Sequence, residues 1–277
     1  MEKSQDRLDV LKKIEEFELN GWFDQEVEID PPAKTLMPED VDYLNKKLEN
    51  KIATKYSYAM AQKFLNKIIK QKQLIIKETL GIENLQNLKT GAVLTCNHFN
   101  AFDSFAVQTI FQQSKQKGKT FYRVIKEANY TSFPGFYGML MRHCNTLPLS
   151  SNRKTMEHFL KAIDTILQRG DFVLIYPEQS MWWNYKKPRP LKPGGFRFAV
   201  KNNVPVLPCF ITMQDSNILS EDGFYVQEYT IHIEKPLYPN PKLSKTEQVQ
   251  DLLNRNYNVW KNIYEKTYGK KLEYTTV

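Results

Sequence analysis

Beyond residue 91 the chain switches repeatedly between two hydrophobic periods, and the switches divide it into elements. Apolar runs at 92–96, 120–125, 146–149, 172–176 and 204–213 have the length and flanking turn residues of strands. Residues 224–234 alternate instead, with Tyr225, Gln227, Tyr229, Ile231 and Ile233 opposing Val226, Glu228, Thr230 and His232. That is the pattern of an antiparallel strand at a sheet edge. Helical spacing occupies 103–115, 133–142, 155–168, 195–202 and 244–268. In the last of these, Leu252, Leu253, Tyr257, Trp260, Ile263 and Tyr264 form a core-facing stripe. Strands alternating with helices predict an α/β fold, a mixed, mostly parallel sheet flanked by helices.

The first part of the chain is helical in pattern on either side of a proline-bearing break. Leu8, Leu11, Ile14 and Phe17 mark a short helix within 1–23, and the acidic, proline-bearing segment 24–38, with Pro31, Pro32 and Pro38, reads as a linker or extended arm. Residues 39–80 contain neither proline nor glycine and read as one helical stretch. We therefore expect an N-terminal helical region over 1–85, able to lie on a membrane surface, and an α/β domain over 86–277. In the second half of the helical stretch Lys63, Lys67 and Lys70 share a face, with Phe64, Leu65, Ile68 and Ile69 offset from them. Such a helix either buries its apolar side in the core and solvates its lysines, or sits among anionic headgroups.

Composition narrows the function classes. At 277 residues, 41% hydrophobic and 13% aromatic, the chain is long and apolar enough for a real core. A formal charge of +8 favours an anionic partner: nucleic acid, anionic lipid or an acidic protein. Cys96, Cys144 and Cys209 are odd in number, far apart and without a CxxC, so neither a disulfide framework nor a zinc site is expected. A reducing, cytoplasmic setting follows from that. The charged N-terminus lacks an apolar signal-peptide core, and no apolar window reaches the length of a transmembrane helix.

The candidate chemistry lies where the strand at 92–96 passes into the helix at 103. His98 and Asp103 are five residues apart across that turn. On a straight helix five residues rotate a side chain by roughly 500°, so the two meet only if the turn folds His98 back. Asp103 can then accept the Nδ1 proton and leave Nε2 free to deprotonate a hydroxyl. This is the base and orienter of a triad without its serine, so the substrate supplies the nucleophile. A satisfied structural histidine would have the same sequence. A second carboxylate, Glu178, follows Tyr176-Pro177 at another strand end, as a headgroup ligand or a plain surface acid. Downstream, Lys186, Lys187, Arg189, Lys192, Arg197 and Lys201 occur with no acidic residue among them, just after Trp182, Trp183 and Tyr185. Basic residues beside aromatics suit a lipid–water interface, a single-stranded nucleic acid or an exposed loop. No nucleic-acid module is evident, so nucleic acid is not expected. Cys96 beside His98 reads as a core thiol, Ser104 and Ser180 lack a G-x-S-x-G elbow, and His143, His158 and His232 show no metal-ligand spacing.

Taken together these stretches resemble the glycerolipid acyltransferase family of the lysophosphatidic acid acyltransferase type. His98 and Asp103 match its H-x4-D block, and Tyr176-Pro177-Glu178 its F-P-E block, with Gln179-Ser180 in place of Gly-Thr. Lys192-Pro193-Gly194-Gly195-Phe196 resembles its K-x-G-x-F segment, and Val204-Pro205-Val206-Leu207-Pro208 its closing block. The resemblance spans about 90–213 and implies an O-acyltransferase whose catalytic residues are His98 and Asp103. It further implies an acyl carrier protein or coenzyme A thioester as co-substrate, no metal or other cofactor, and a lysolipid acceptor on the cytoplasmic face of an anionic membrane. Glu178 and Ser180 would then bind the acceptor, with Arg153, Lys186, Lys187 and Arg189 as the basic residues available to its headgroup. Two arginines that hold the acceptor's phosphate in the family are replaced here by Met181 and Ser150. A thioesterase or phospholipid hydrolase using the same dyad on water, or a non-catalytic lipid-binding protein, are the alternatives.

Overall fold

Parallel pairing around one central strand sets the architecture. The computed structural model describes residues 2–29 and 32–276. Its sheet contains β1 (Ile75–Leu80), β2 (Ala92–Thr95), β3 (Phe121–Ile125), β4 (Thr146–Pro148), β5 (Phe172–Ile175), β6 (Val206–Leu219) and β7 (Tyr225–Ile233). The strand order is β1-β7-β6-β2-β5-β3-β4, and only the β6–β7 pair is antiparallel. The expected mixed, mostly parallel sheet is thus present. β2 lies in the middle, flanked by β5 and β6, which both arrive much later in the chain. Ligands of such sheets collect beyond the carboxyl ends of the central strands, where the chain leaves in opposite directions.

Alternate residues of β2 supply both faces. Ala92, Leu94 and Cys96 enter one core with Leu65, Ile68, Val107 and Ile110. Val93 enters the other, with Phe159, Ile163, Phe196 and Trp260. The first core is covered by α2 (Leu48–Lys70), α3 (Ile82–Gln86) and α4 (Asp103–Gln113). The second lies under α7 (Arg153–Gln168), α8 (Gly194–Asn202) and α9 (Lys245–Tyr268). Burying each such leucine or isoleucine contributes about 1.5–3 kcal/mol, so the run reads as continuously apolar rather than alternating. α9 begins with a reciprocal capping box between Ser244 and Glu247 and ends at Gly269 in the left-handed conformation.

Two expectations need correction. The helical stretch over 39–80 is a short 3-10 turn at Pro38–Asp40, then α2, and then a strand. α2 stops at Lys70, Lys72 turns with φ of +55°, and β1 pairs in parallel with β7. β7 is accordingly not an edge strand, because β1 covers it. Gly81 allows the exit from β1: its φ is +75°, and a Cβ there would lie 2.0 Å from the Ile233 carbonyl oxygen. The arm after α1 (Gln5–Leu19) packs against the sheet domain. Val27 and Leu36 are buried, Leu36 N–H donates to Glu127, and Tyr43 donates to the Pro148 carbonyl. Pro31 of the proline pair lies outside the described residues.

Candidate active site

The site begins where β2 ends. Asn97 extends the ladder with its side chain: its carboxamide oxygen accepts from Ile211 N–H at 2.8 Å and its Nδ2 donates to the Ile211 carbonyl at 3.0 Å. That side-chain rung pins the chain to β6, and the backbone of His98 is then free to turn. The turn folds His98 back onto the start of α4, and its Nδ1 lies 2.7 Å from Asp103 Oδ2. The same carboxylate accepts the backbone N–H of Phe99 at 3.2 Å and of Asn100 at 3.4 Å. Asp103 is 1% exposed and His98 23% exposed. Among the described residues, Nε2 of His98 has no protein partner. A buried carboxylate fixes the Nδ1–H tautomer and orients the ring, so the outward nitrogen is an acceptor for a proton.

A second shell of polar contacts props the turn from behind. Glu178 accepts the His98 backbone N–H at 3.0 Å and the Arg189 backbone N–H at 2.8 Å, and forms an ion pair with the Arg189 guanidinium at 3.0 Å. Arg189 is 1% exposed and lies over the ring of Trp182. It donates to Ser180 Oγ at 2.6 Å and to the Phe23 carbonyl at 2.9 Å. Trp182 donates its indole N–H to the Gln25 carbonyl and its backbone N–H to the His98 carbonyl. The turn between these groups places Gln179 at φ of +70°, a strained setting for a side chain and one that suits glycine.

The residues singled out from sequence therefore fall into separate groups. His98 and Asp103 come together. Glu178, Ser180 and Arg189 also come together, and their polar atoms bond one another and the backbone within the protein. Lys187 pairs with Glu18 of α1, and Lys186 stands over the Tyr268 ring. Arg153 is 94% exposed at the start of α7 and pairs with Glu157, four residues along. Burial pushes the Cys96 thiol well above its ordinary range, with Cys209 and Asp103 adding to the effect, so it is not a thiolate nucleophile. No group of acids, histidines and cysteines able to hold a metal occurs among the described residues. Sequence reasoning missed Tyr176, whose ring stacks on His98 with centroids 4.1 Å apart and whose hydroxyl donates to Asp103 Oδ1 at 2.7 Å. The available signal was an aromatic residue ending a strand beside the one that carries His98.

A mostly parallel sheet with a histidine–carboxylate pair at its central strand end offers a base and its orienter at the place where ligands of such sheets collect. Residues 78–212 match the family profile described as Acyltransferase, so this stretch carries an acyltransferase domain. Among solved structures it resembles PlsC, the 1-acyl-sn-glycerophosphate (LPA) acyltransferase of Thermotoga maritima, at 19% identity and a TM-score of 0.52. The likeness covers 83% of this chain and 87% of that one, and it shows the fold. No curated protein sequence matches the chain.

Proposed function

We propose that this acyltransferase moves a fatty acyl group from a carrier-protein or coenzyme A thioester to the hydroxyl of a lysolipid, in membrane lipid synthesis or remodelling. The observation that carries the reading is the 2.7 Å contact between His98 Nδ1 and a buried Asp103, with the opposite ring nitrogen open. Nε2 takes the acceptor's hydroxyl proton as its oxygen attacks the thioester carbonyl carbon. The tetrahedral intermediate collapses, the C–S bond breaks, and the imidazolium returns the proton to the leaving thiolate. The backbone N–H groups of His98, Phe99 and Asn100 are bonded to carboxylates, so the oxyanion is stabilised by other donors.

The preferred acceptor in this reading lacks a phosphate monoester. Met181 and Ser150 stand where the family has arginines, and Ser150 donates to Glu127 Oε1 at 2.8 Å. Burial pushes the Glu127 carboxyl up, but bonds from Leu36, Ser150 and Ser151 outweigh it and hold it below the usual range, so an anion sits there. Losing two charge-assisted clamps of about 1.5–3 kcal/mol each removes two to four decades of selectivity for a phosphate monoester.

The test is incubation of purified protein with radiolabelled acyl donors of both kinds and a panel of lysolipids. The panel holds lysophosphatidic acid, lysophosphatidylglycerol, lysophosphatidylcholine and a lyso-glycolipid. A new diacyl product supports transfer, free fatty acid alone supports a hydrolase, and neither supports a binding protein. A tenfold or greater preference for lysophosphatidic acid would refute the acceptor assignment.

A further inference from the structure

Tyr176 occupies the aromatic position of the F-P-E block and carries a hydroxyl that a phenylalanine there would lack. Asp103 has two carboxylate oxygens, and their partners divide unequally. Oδ2 receives His98 Nδ1–H and two backbone N–H groups, while the Tyr176 hydroxyl is the partner of Oδ1. The Tyr176 ring also lies flat on the imidazole, at an interplanar angle of 19°. One side chain thus touches both members of the dyad, on different atoms and by different forces.

We propose that Tyr176 is a positioning residue that sets both the orientation and the basicity of His98 through the outer oxygen of Asp103. This rests on the assignment of His98 as the base.

Burial raises the phenol's pKa well above its ordinary value, with the Asp103 charge adding to it, so the hydroxyl stays protonated and can only donate to the carboxylate. Its hydrogen bond draws negative charge towards Oδ1 and away from Oδ2. The imidazolium facing Oδ2 is then less stabilised than it would be beside a free carboxylate, and the proton that His98 gains from a substrate is more readily given up. Ring stacking restrains rotation about the Cβ–Cγ bond, which keeps Nδ1 on Oδ2 while Nε2 exchanges its proton. Other charged and titratable groups approach from every side. Glu178 and Arg189 lie behind the His98 backbone and neutralise each other, Cys96 is a buried neutral thiol, Arg123 approaches from β3, and Tyr229 reaches in from β7. Among the described residues none of these groups is hydrogen-bonded to Oδ1 of Asp103.

The experiment measures the His98 ring directly, by nitrogen-15 NMR titration of the resting protein, with His98→Gln identifying its signal. Tyr176→Phe keeps the stack and removes the donor. We expect the His98 pKa to rise by roughly half a unit or more. The acid limb of the kcat profile should rise with it, and kcat should fall roughly tenfold with KM for both substrates little changed. A second variant avoids leaving a buried oxygen unpaired. Placing 3-fluorotyrosine at position 176 makes the hydroxyl a stronger donor and should move the His98 pKa down. Opposite shifts in the two variants establish the coupling. An unchanged His98 titration in both folded variants overturns it, whatever happens to turnover. Because the titration needs no substrate, it separates this proposal from the acyl-transfer assignment: lack of acyl transfer by the wild type would leave the NMR result intact.

Discussion

Asp103 receives four hydrogen bonds on two oxygens, and that crowding determines how substitutions at the turn behave. Replacing His98 by alanine removes the base from a partly exposed position, so turnover should fall by ~10²–10⁴-fold with little change in melting temperature. Asp103→Asn presents an amide N–H where Nδ1 must donate, and it should cost on the order of 10³–10⁴-fold through the wrong tautomer. It should also lower stability, since the carboxylate ties down Phe99 and Asn100 as well. Activity and thermal melts on both variants check this; near-normal turnover by folded His98→Ala would remove His98 from the chemistry. The pair is legible in the sequence through its resemblance to the H-x4-D block together with the downstream Tyr176-Pro177-Glu178 block, whereas the five-residue gap by itself would fit a structural histidine equally well. Arg189 is not legible. A run of lysines and arginines has the composition of a solvated loop, and what buries this one is the Phe23 carbonyl, 166 positions away. The partner of Glu178 is no more legible, since a strand-end acid shows nothing of the guanidinium it will meet.

At the scale of elements, α2 carries more on its surface than a lysine stripe. Its outward face is divided lengthwise. Leu48, Ile52 and Tyr56 are 72%, 63% and 60% exposed at spacings of four, and Lys63, Lys67 and Lys70 continue the same face towards the C-terminus. Lys51 and Lys55 flank the apolar half. No helix among the described residues is long and apolar enough to cross a membrane. A helix built this way is suited to the headgroup plane, where its apolar half would insert and its lysines would meet anionic lipid. Each lysine near such a surface contributes about 1 kcal/mol, so Lys63, Lys67 and Lys70 changed to glutamine should weaken vesicle binding by roughly 100-fold. Ile52→Glu should weaken binding to neutral vesicles too. Sedimentation with anionic and neutral vesicles at low and high salt reads both effects; equal binding by all forms would return α2 to a purely structural role. The end of α2 eludes the helical period because neither proline nor glycine marks it. The β-branched residues Ile75, Ile76 and Thr79 were the available sign of β1, but their parallel partner, β7, lies about 150 residues downstream.

Across the whole molecule, the two sides of the sheet and the N-terminal region meet the solvent differently, and pH exposes one difference. Burial, with Lys266 adding, pushes His232 on β7 down from 6.5 to about 4. The fold therefore favours the neutral ring. That contribution is full above pH 6.5 and is lost as pH falls towards 4, since the unfolded chain takes up the proton first. Unfolding free energy should decline over that window, and His232→Gln should remove that part of the slope; a wild-type slope in the variant would exclude His232 as its source. The α/β class and most element positions follow from periodicity alone, whereas the central position of the strand before His98 depends on remote pairing that periodicity does not carry. The docking of α1 and its arm does not, because it depends on pairings between remote, individually ordinary residues. Glu18 gathers the largest of these: Tyr185, Lys187 and the Thr275 N–H all donate to it, the last from 257 positions away. That separation has a kinetic meaning. Local contacts and sheet pairings close earlier, whereas this clasp requires both remote segments to be in place. Refolding should therefore pass through a species with a formed sheet and an exposed Trp182, seen as far-UV signal recovering before indole burial. Glu18→Gln should slow the second step and spare the first. Simultaneous recovery of both signals would show that the clasp forms with the sheet.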